Sequence, residues 1–252
     1  MTDLREGIAV VTGAGGGLGR ALAVELSKTM PVSGFGRNAA ALEETQTQAE
    51  PGQFHPVIAD VTDFNSVSQG FDTAIKVAPV TLLVNNAALY PRRDFLEETA
   101  DSFMEVVNTN LGGTVACTRA ALAGMVETGF GRIMNVATFA DIAPLPASSS
   151  YSVSKGAARI FTRALIADIA DRFPGIVVND WMPGMLATRM GIAEGLAPET
   201  AAVWGAKLAL WHDPSLTGTT WEMDREIPPP RSLKRRIADR VLMRPRAQAR
   251  RL

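Results

Sequence analysis

Short apolar runs alternate with longer segments of helical composition along most of this chain. Residues 7–12 (GIAVVT) form a β-rich run, and residues 18–29 have the composition of a helix. Residues 32–35 then predict a second strand, 38–49 a second helix, 54–59 a third strand and 64–77 a third helix. The run at 80–85 (VTLLVN) is apolar nearly throughout, as in a strand buried on both faces. A helix at 103–126, a strand at 132–136, a long helix at 151–173 and a strand at 176–179 continue the series.

Strands alternating with helices of this length imply βαβ units and a parallel sheet. Right-handed crossovers then place helices on both of its faces, which gives an α/β fold built on a single doubly wound, Rossmann-type sheet. The first two hundred residues hold no linker, repeat or low-complexity block. Composition breaks near Ile227, where Pro228, Pro229 and Pro230 precede a basic stretch. The reading is one domain over residues 1–227 and an extension over 228–252. That extension carries Arg231, Lys234, Arg235, Arg236, Arg240, Arg244, Arg246, Arg250 and Arg251, with Asp239 its only acid. A cap on a neighbouring subunit and an anchor for a carrier-protein or CoA phosphate are functional readings of it. A solvated amphipathic helix is the favoured one, since charge runs are usually that.

Charge over the whole chain points to no special partner. Lys and Arg number 25 against 26 Asp and Glu, so neither nucleic acid nor an acidic membrane surface is expected. The single cysteine, Cys117, lies in an apolar helical stretch and reads as a small core residue. Residues 1–6 are polar and lead straight into a strand, so no signal peptide is expected. No stretch has the apolar length to span a membrane, and a cytoplasmic setting follows. His55 and His212 lack metal-ligand spacing, and no metal is assigned.

Candidate chemistry starts after the first strand, at Thr12-Gly13-Ala14-Gly15-Gly16-Gly17-Leu18-Gly19. Glycines there permit a tight turn and a close backbone approach to a pyrophosphate, and the helix that follows presents free N–H donors at its N-terminus. The pattern is T-G-x-x-x-G-x-G, because Leu18 stands where G-x-G-x-x-G would need glycine. Further along come Asp60-Val61 after the third strand, Asn85-Asn86-Ala87-Ala88 closing the fourth, and Asn110-Leu111-Gly112-Gly113. Tyr151-Ser152-Val153-Ser154-Lys155 and Pro183-Gly184 with Thr188 complete the set. In this order and at these separations the chain resembles the short-chain dehydrogenase/reductase family over about residues 5 to 224.

The resemblance implies an NAD(P)(H)-dependent oxidoreductase that moves a hydride between nicotinamide and an alcohol or carbonyl carbon. It implies that Gly13, Gly15, Gly16, Gly17, Leu18 and Gly19 hold the dinucleotide, with Asp60 at the adenine and Val61, Asn86, Ala87, Pro183 and Gly184 around the cofactor. Thr188 matches the residue that bonds the carboxamide, and it also suits the N-cap of a following helix. Ala88 replaces the family's last glycine in N-N-A-G. The second strand ends without the acid that would favour NAD(H); Arg37 stands there and can pair with a 2′-phosphate, so NADP(H) is favoured over NAD(H). Against this, Gly16 occupies a place where many NADP-preferring relatives carry a basic residue.

Tyr151 and Lys155 lie one helical turn apart and share a face. A free phenol has a pKa of about 10, which a nearby ammonium and an oxidised nicotinamide pull toward the working range. The resemblance implies that Lys155 also bonds the nicotinamide ribose and that Asn110 anchors a water in the proton relay. Thr138 stands where the family usually has serine; it keeps the hydroxyl and adds a stiffening methyl. Ser148, Ser149 and Ser150 suit a loop and N-cap instead.

The segment from Thr188 to Pro198 is a short substrate lid, with Met185, Leu186, Met190, Ile192 and Leu196 lining an apolar pocket and Tyr90 contributing. A small apolar ketone or secondary alcohol is expected, with 3-oxoacyl thioesters as the alternative. A non-catalytic dinucleotide-sensing or scaffold protein of the same fold is the third reading. Family members commonly pair their two long helices, here near 103–126 and 151–173, and join their last strands. A homodimer or homotetramer is therefore expected.

Overall fold

The computed structural model describes residues 3–228 and 249–252. A 3-10 turn at Leu4–Glu6 leads into β1 (Ile8–Thr12), α1 (Gly17–Ser27), β2 (Val32–Gly36), α2 (Ala39–Gln48), β3 (Phe54–Ile58), α3 (Phe64–Ala74) and β4 (Val80–Asn85). The chain continues through α4 (Ala100–Val107), α5 (Gly113–Thr128), β5 (Gly131–Val136), α6 (Ser149–Ile169), β6 (Ile176–Met182), α7 (Pro198–Leu210), β7 (Thr220–Glu222) and β8 (Arg225–Ile227). The eight strands order as β3-β2-β1-β4-β5-β6-β7-β8. Every neighbouring pair is parallel except β7 and β8. Strand order reverses between β1 and β4, and at such a switch point the carboxyl ends of the strands open a crevice.

The apolar runs bury both faces of the sheet because alternate side chains point to opposite sides. Ala9 and Val11 of β1, Leu82 and Val84 of β4, and Val177 and Trp181 of β6 pack with α1 and α7. Ile8 and Val10, Leu83, and Ile176 and Val178 pack with α3, α5 and α6 on the other side. No strand in the middle of such a sheet has a wet face, so a polar side chain on it must find its partners inside, and the groups left free for a ligand lie in the loops at the strand ends.

Two elements differ from the sequence reading. The helix expected over 103–126 is two helices joined by a π turn at Asn108–Gly112. A Cβ on Gly113 would lie 2.6 Å from the Val61 side chain, so α5 can start there only without one. The wide turn carries Asn110 fully into the interior, a distortion of the kind often found at functional sites. The alternating series read from the sequence ends with the strand over 176–179, and beyond it the chain adds a hairpin in which β8 returns antiparallel to β7.

The end of the chain extends that hairpin. Arg251 pairs antiparallel with Arg225, Glu226 N–H bonds Arg250 C=O at 3.0 Å, and Leu252 N–H bonds Asp224 C=O at 2.9 Å. Arg250 forms a two-point ion pair with Glu226 (2.6 and 3.0 Å), and its guanidinium stands 5.5 and 5.8 Å from the Trp211 and Trp221 rings. Leu252 packs on the α1/α7 core. The amphipathic helix expected within the basic extension falls at 229–248, outside the described residues.

Glu226 is held below the ordinary carboxylate value of 4.5, chiefly by its bond to Arg250. A depressed carboxylate stabilises the fold above that value and loses its contribution as pH falls through the acid range. Arg250→Ala is expected to lower Tm at neutral pH by about 2–4 °C, equivalent to roughly 1 kcal/mol. The gap should close in acid. A thermal melt at neutral pH and at pH 4 checks both; equal Tm values at neutral pH would mean the terminal pairing does not hold in solution.

Candidate active site

Thr12, at the end of β1, stitches two loops together. Its hydroxyl accepts the N–H groups of Asn86 (2.9 Å) and Ala87 (3.0 Å), while Asn86 Nδ2 donates to Thr12 C=O at 2.9 Å. Asn86 and Ala87 are thereby held against the glycine loop. Gly13 and Gly17 adopt φ of +70° and +52°, a region that favours glycine. A Cβ on Gly19 would lie 2.1 Å from Gly13 C=O, so only glycine lets α1 cross the strand end this closely. Gly16 caps α1 without any side-chain bond, and nothing stands within 4 Å of where its Cβ would be. The first N–H groups of α1 therefore face open space over a glycine surface, a cradle that fits the pyrophosphate of a dinucleotide. A Cβ on Gly15 would lie 3.2 Å from the Ala41 side chain, so this glycine lets α2 pack close under the loop. Leu18 does not contribute its side chain, which is buried in the core.

The far side of the loop is locked by residues the sequence reading missed. Arg20 donates to Gly15 C=O (2.8 Å) and to Thr45 Oγ1 (3.1 Å) and pairs with Glu44. Thr45 in turn donates to Ala14 C=O at 2.9 Å. A cation one residue after the glycines, with an acid and a threonine in the next helix, was the available signal; only the fold shows that they meet.

Arg37 and Asp60, read separately, face each other at 3.7 Å across an exposed ion pair. Asp60 also accepts the N–H and hydroxyl of Thr62 (2.9 and 2.8 Å). Partial burial alone would raise its pKa, but the Thr62 bonds and Arg37 outweigh that and hold it below the usual value. Val61 is buried against Gly113 rather than turned to the crevice.

Thr188 comes back to the cradle, with its methyl 3.4 Å from the position of a Gly17 Cβ. Its hydroxyl accepts from Gly191 N–H at 3.1 Å. The N-cap role expected for it is not what the fold uses, because the next helix starts at Pro198 behind Ala197. Pro183 precedes Gly184, whose φ of +87° turns the chain out of β6 against Met223.

Asn110, Thr138 and the α6 pair Tyr151 and Lys155 come from three separate stretches of chain. Asn110 Oδ1 accepts Leu89 N–H (2.7 Å), and its Nδ2 donates to Leu89 C=O (3.0 Å) and Ser154 Oγ (2.9 Å). Its side-chain amide is thus fully committed to holding the loop after β4, and its backbone carbonyl accepts from the Thr114 hydroxyl at 2.8 Å. Tyr151 lies flat on Tyr90, with ring centroids 4.4 Å apart and planes at 22°. Lys155 donates to Val136 C=O at 2.7 Å. Burial raises the Tyr151 pKa, opposed by a hydrogen bond with Thr138 and reinforced by Tyr90. In the protein alone the phenol therefore stands above its ordinary value, while the expectation concerns the site with an oxidised nicotinamide bound. Burial likewise lowers Lys155 to about 8, with Asp180 pulling the other way. Of the serines, Ser148 takes the N-cap position of α6, but its hydroxyl bonds Leu145 and Ser152 instead of capping.

The lid is a compact loop closed by Ala187 N–H to Leu196 C=O and Leu196 N–H to Met185 C=O, both 2.8 Å. Leu186 is buried in the α1/α7 core and Leu196 packs against it, so these two leave the pocket lining expected of them. Met185 and Met190 stay exposed. Arg92, unremarked in the sequence, donates to the Met190 (3.1 Å) and Gly191 carbonyls and lies 5.5 Å from the Tyr90 ring centre. It links the lid to the Tyr90–Tyr151 stack. Cys117 is buried, and burial pushes its thiol up to about 12. Among the described residues no group of three His, Cys, Asp or Glu is placed to hold a metal, and no helix is long and apolar enough to cross a membrane.

Known proteins match this arrangement along most of its length. The model of the short chain dehydrogenase family matches residues 7–197. Galactitol 2-dehydrogenase (L-tagatose-forming) of Cereibacter sphaeroides is 35% identical over 203 residues, 78% of each chain. The 3-oxoacyl-[acyl-carrier-protein] reductase of a Synechocystis strain is 31% identical over 195 residues, covering 75% of this chain and 78% of that one. Acetoacetyl-CoA reductase of Cupriavidus necator is 31% identical over 192 residues, 74% of this chain and 77% of that one. With its glycine loop, its tyrosine helix and its doubly wound sheet in the same order, the chain belongs to the short chain dehydrogenase family of oxidoreductases.

Proposed function

We propose that the protein interconverts a ketone and a secondary alcohol, with Tyr151 as the group that exchanges a proton with the substrate oxygen. The observation that carries this reading is the placing of Tyr151, stacked on Tyr90 and one turn of α6 before the buried Lys155. A nicotinamide dinucleotide bound in that cradle would supply or accept the hydride. The phenol of Tyr151 gives its proton to the oxygen during reduction and takes it back during oxidation, while the Thr138 hydroxyl bonds the same oxygen and orients it. Lys155, buried next to Tyr151 on α6, provides the positive charge that steadies the phenolate when it forms. Asn110 keeps the loop after β4 in place and offers its carbonyl to a relay water. Packing of Tyr151 on Tyr90 fixes the ring and keeps bulk water from one of its faces.

NADP(H) is the favoured dinucleotide. Arg37 is mostly exposed and tied only to Asp60 at 3.7 Å, so an incoming 2′-phosphate can take it over at small cost. Phe139, Ile142, Leu145, Met185 and Met190 are exposed on the loops after β5 and β6, which favours an apolar substrate entering an open mouth. That open mouth also favours the second reading, a 3-oxoacyl thioester, which is the chemistry in the names of two of the relatives. The buried Lys155 one turn from a stacked Tyr151 argues against a purely scaffolding role. In this reading residues 1–227 are the catalytic domain, and 228–252 an extension whose end locks onto β8. Pairing through the helices of the α4–α6 side, where Met104, Val153 and Ile160 are exposed, makes a homodimer or homotetramer.

Tyr151→Phe is expected to cut the turnover of a ketone by at least about a thousandfold. NADPH affinity, followed by fluorescence titration, should stay within about threefold. Retained turnover would remove Tyr151 from the chemistry. Arg37→Ala should weaken NADPH by about tenfold, roughly the 1.4 kcal/mol of one charge-assisted contact, and leave NADH unchanged. Equal losses for both cofactors, or tighter NADH binding by the parent protein, would overturn the assignment of Arg37. Steady-state comparison of free ketones with acetoacetyl-CoA separates the two substrate readings.

A further inference from the structure

One face of α6 carries Lys155, Arg159, Thr162 and Arg163 at helical spacing. Under it, on β6, lies Asp180, which is 4% exposed. Its Oδ1 accepts a hydrogen bond from the Thr162 hydroxyl at 2.7 Å. The Thr162 oxygen accepts from Asn135 Nδ2 (2.9 Å), Asn135 Oδ1 accepts from Asn85 Nδ2 (2.8 Å), and the same Asn85 amide donates to Thr118 (3.0 Å). A line of buried polar side chains thus crosses β6, β5 and β4 on the face that is otherwise the apolar α3/α5/α6 core. A carboxylate is costly in that place unless charge and hydrogen bonds answer it. From α6 it is answered by Arg159 and Arg163; from the loop after β5, Asp141 opposes it while pairing with Arg159 at 2.7 Å. Asn135 of β5 and Thr220 of β7, its neighbours in the sheet, are neutral.

We propose that Asp180 is a positioning residue for the reaction: its buried negative charge, held by Thr162, keeps Lys155 cationic beside Tyr151. The inference rests on the reading that Tyr151 and Lys155 serve the chemistry. Lys155 Nζ is fixed on Val136 C=O at 2.7 Å, and Val136 is paired in the sheet with Trp181, the residue after Asp180. From there Asp180 offsets the burial that brings that lysine down to about 8. Burial also raises Asp180 itself to about 6, against the Thr162 bond and the two arginines. Between those values both groups are charged. Below about 6 Asp180 takes up a proton, but the lysine is then firmly protonated anyway. Above about 8 the lysine loses its proton and the phenolate loses its partner. Removing the negative charge should bring that loss to lower pH.

Asp180→Asn tests this, because asparagine has the same shape and its Oδ1 still accepts the Thr162 hydrogen bond while the charge disappears. The first readout is the 15N resonance of the Lys155 ammonium in the cofactor-free full chain, assigned by its loss in Lys155→Met. Its titration midpoint is expected to fall by about one pH unit in Asp180→Asn. Thr162→Val, which leaves Asp180 harder to ionise, should shift it in the same direction by less. The alkaline limb of kcat/KM for ketone reduction should move down with it. An unmoved midpoint in a folded Asp180→Asn would overturn the proposal, even with a lowered Tm, since a purely structural role predicts that pattern. Should Asp180→Asn fail to fold, the Thr162→Val titration decides by the same criterion. A displaced midpoint together with full activity in Tyr151→Phe would leave the Asp180–Lys155 relation standing and remove the catalytic reading instead.

Discussion

A parallel sheet buried on both faces leaves its polar groups few places to go, and the rest of this molecule follows from that constraint. The middle strands carry mostly apolar side chains on both faces, so most hydrogen-bonding groups collect at their carboxyl ends, where the strand order reverses between β1 and β4. Thr12 is the joint at that place. One hydroxyl accepts two backbone N–H groups from the loop after β4, so the glycine cradle and the loop that Asn110 holds become one rigid unit.

The same burial decides the electrostatics of the site. A phenol and an ammonium taken out of water are both pushed toward their neutral forms, Tyr151 upward and Lys155 down to about 8. A chemistry that needs the charged lysine must therefore supply compensation from within the protein or from the ligand. The Thr138 hydroxyl opposes the shift at Tyr151, and Asp180 opposes the one at Lys155. Each is worth more in that dry setting than it would be at a surface. The ion pair between Arg37 and Asp60, by contrast, sits in water and stays exchangeable.

Much of the fold and part of the site were legible along the chain, for a physical reason in each case. Strand positions were readable because 80–85 and its counterparts are largely apolar, as strands buried on both faces are. Tyr151 and Lys155 were readable as neighbours because a helix repeats its face every three to four residues. Arg20 with Thr45, Arg92 with Gly191, and Asp180 with Thr162 were not readable, since each pair joins segments 18 to 99 residues apart. The break between α4 and α5 escaped for a related reason: it depends on Val61, from another part of the sheet, lying against Gly113.

By itself the sequence determined the alternation of strands and helices, the family resemblance, the glycine loop and the tyrosine helix, because these depend on local composition and short spacings. Tertiary structure alone decided which polar groups meet. It paired Arg37 with Asp60, sank Leu18, Leu186 and Val61 into the core, committed the Asn110 side chain to Leu89 and Ser154, and folded the last residues onto β8. Partners and burial are properties of three-dimensional neighbours, and the protonation of Tyr151, Lys155 and Asp180 follows from those neighbours rather than from the residue types.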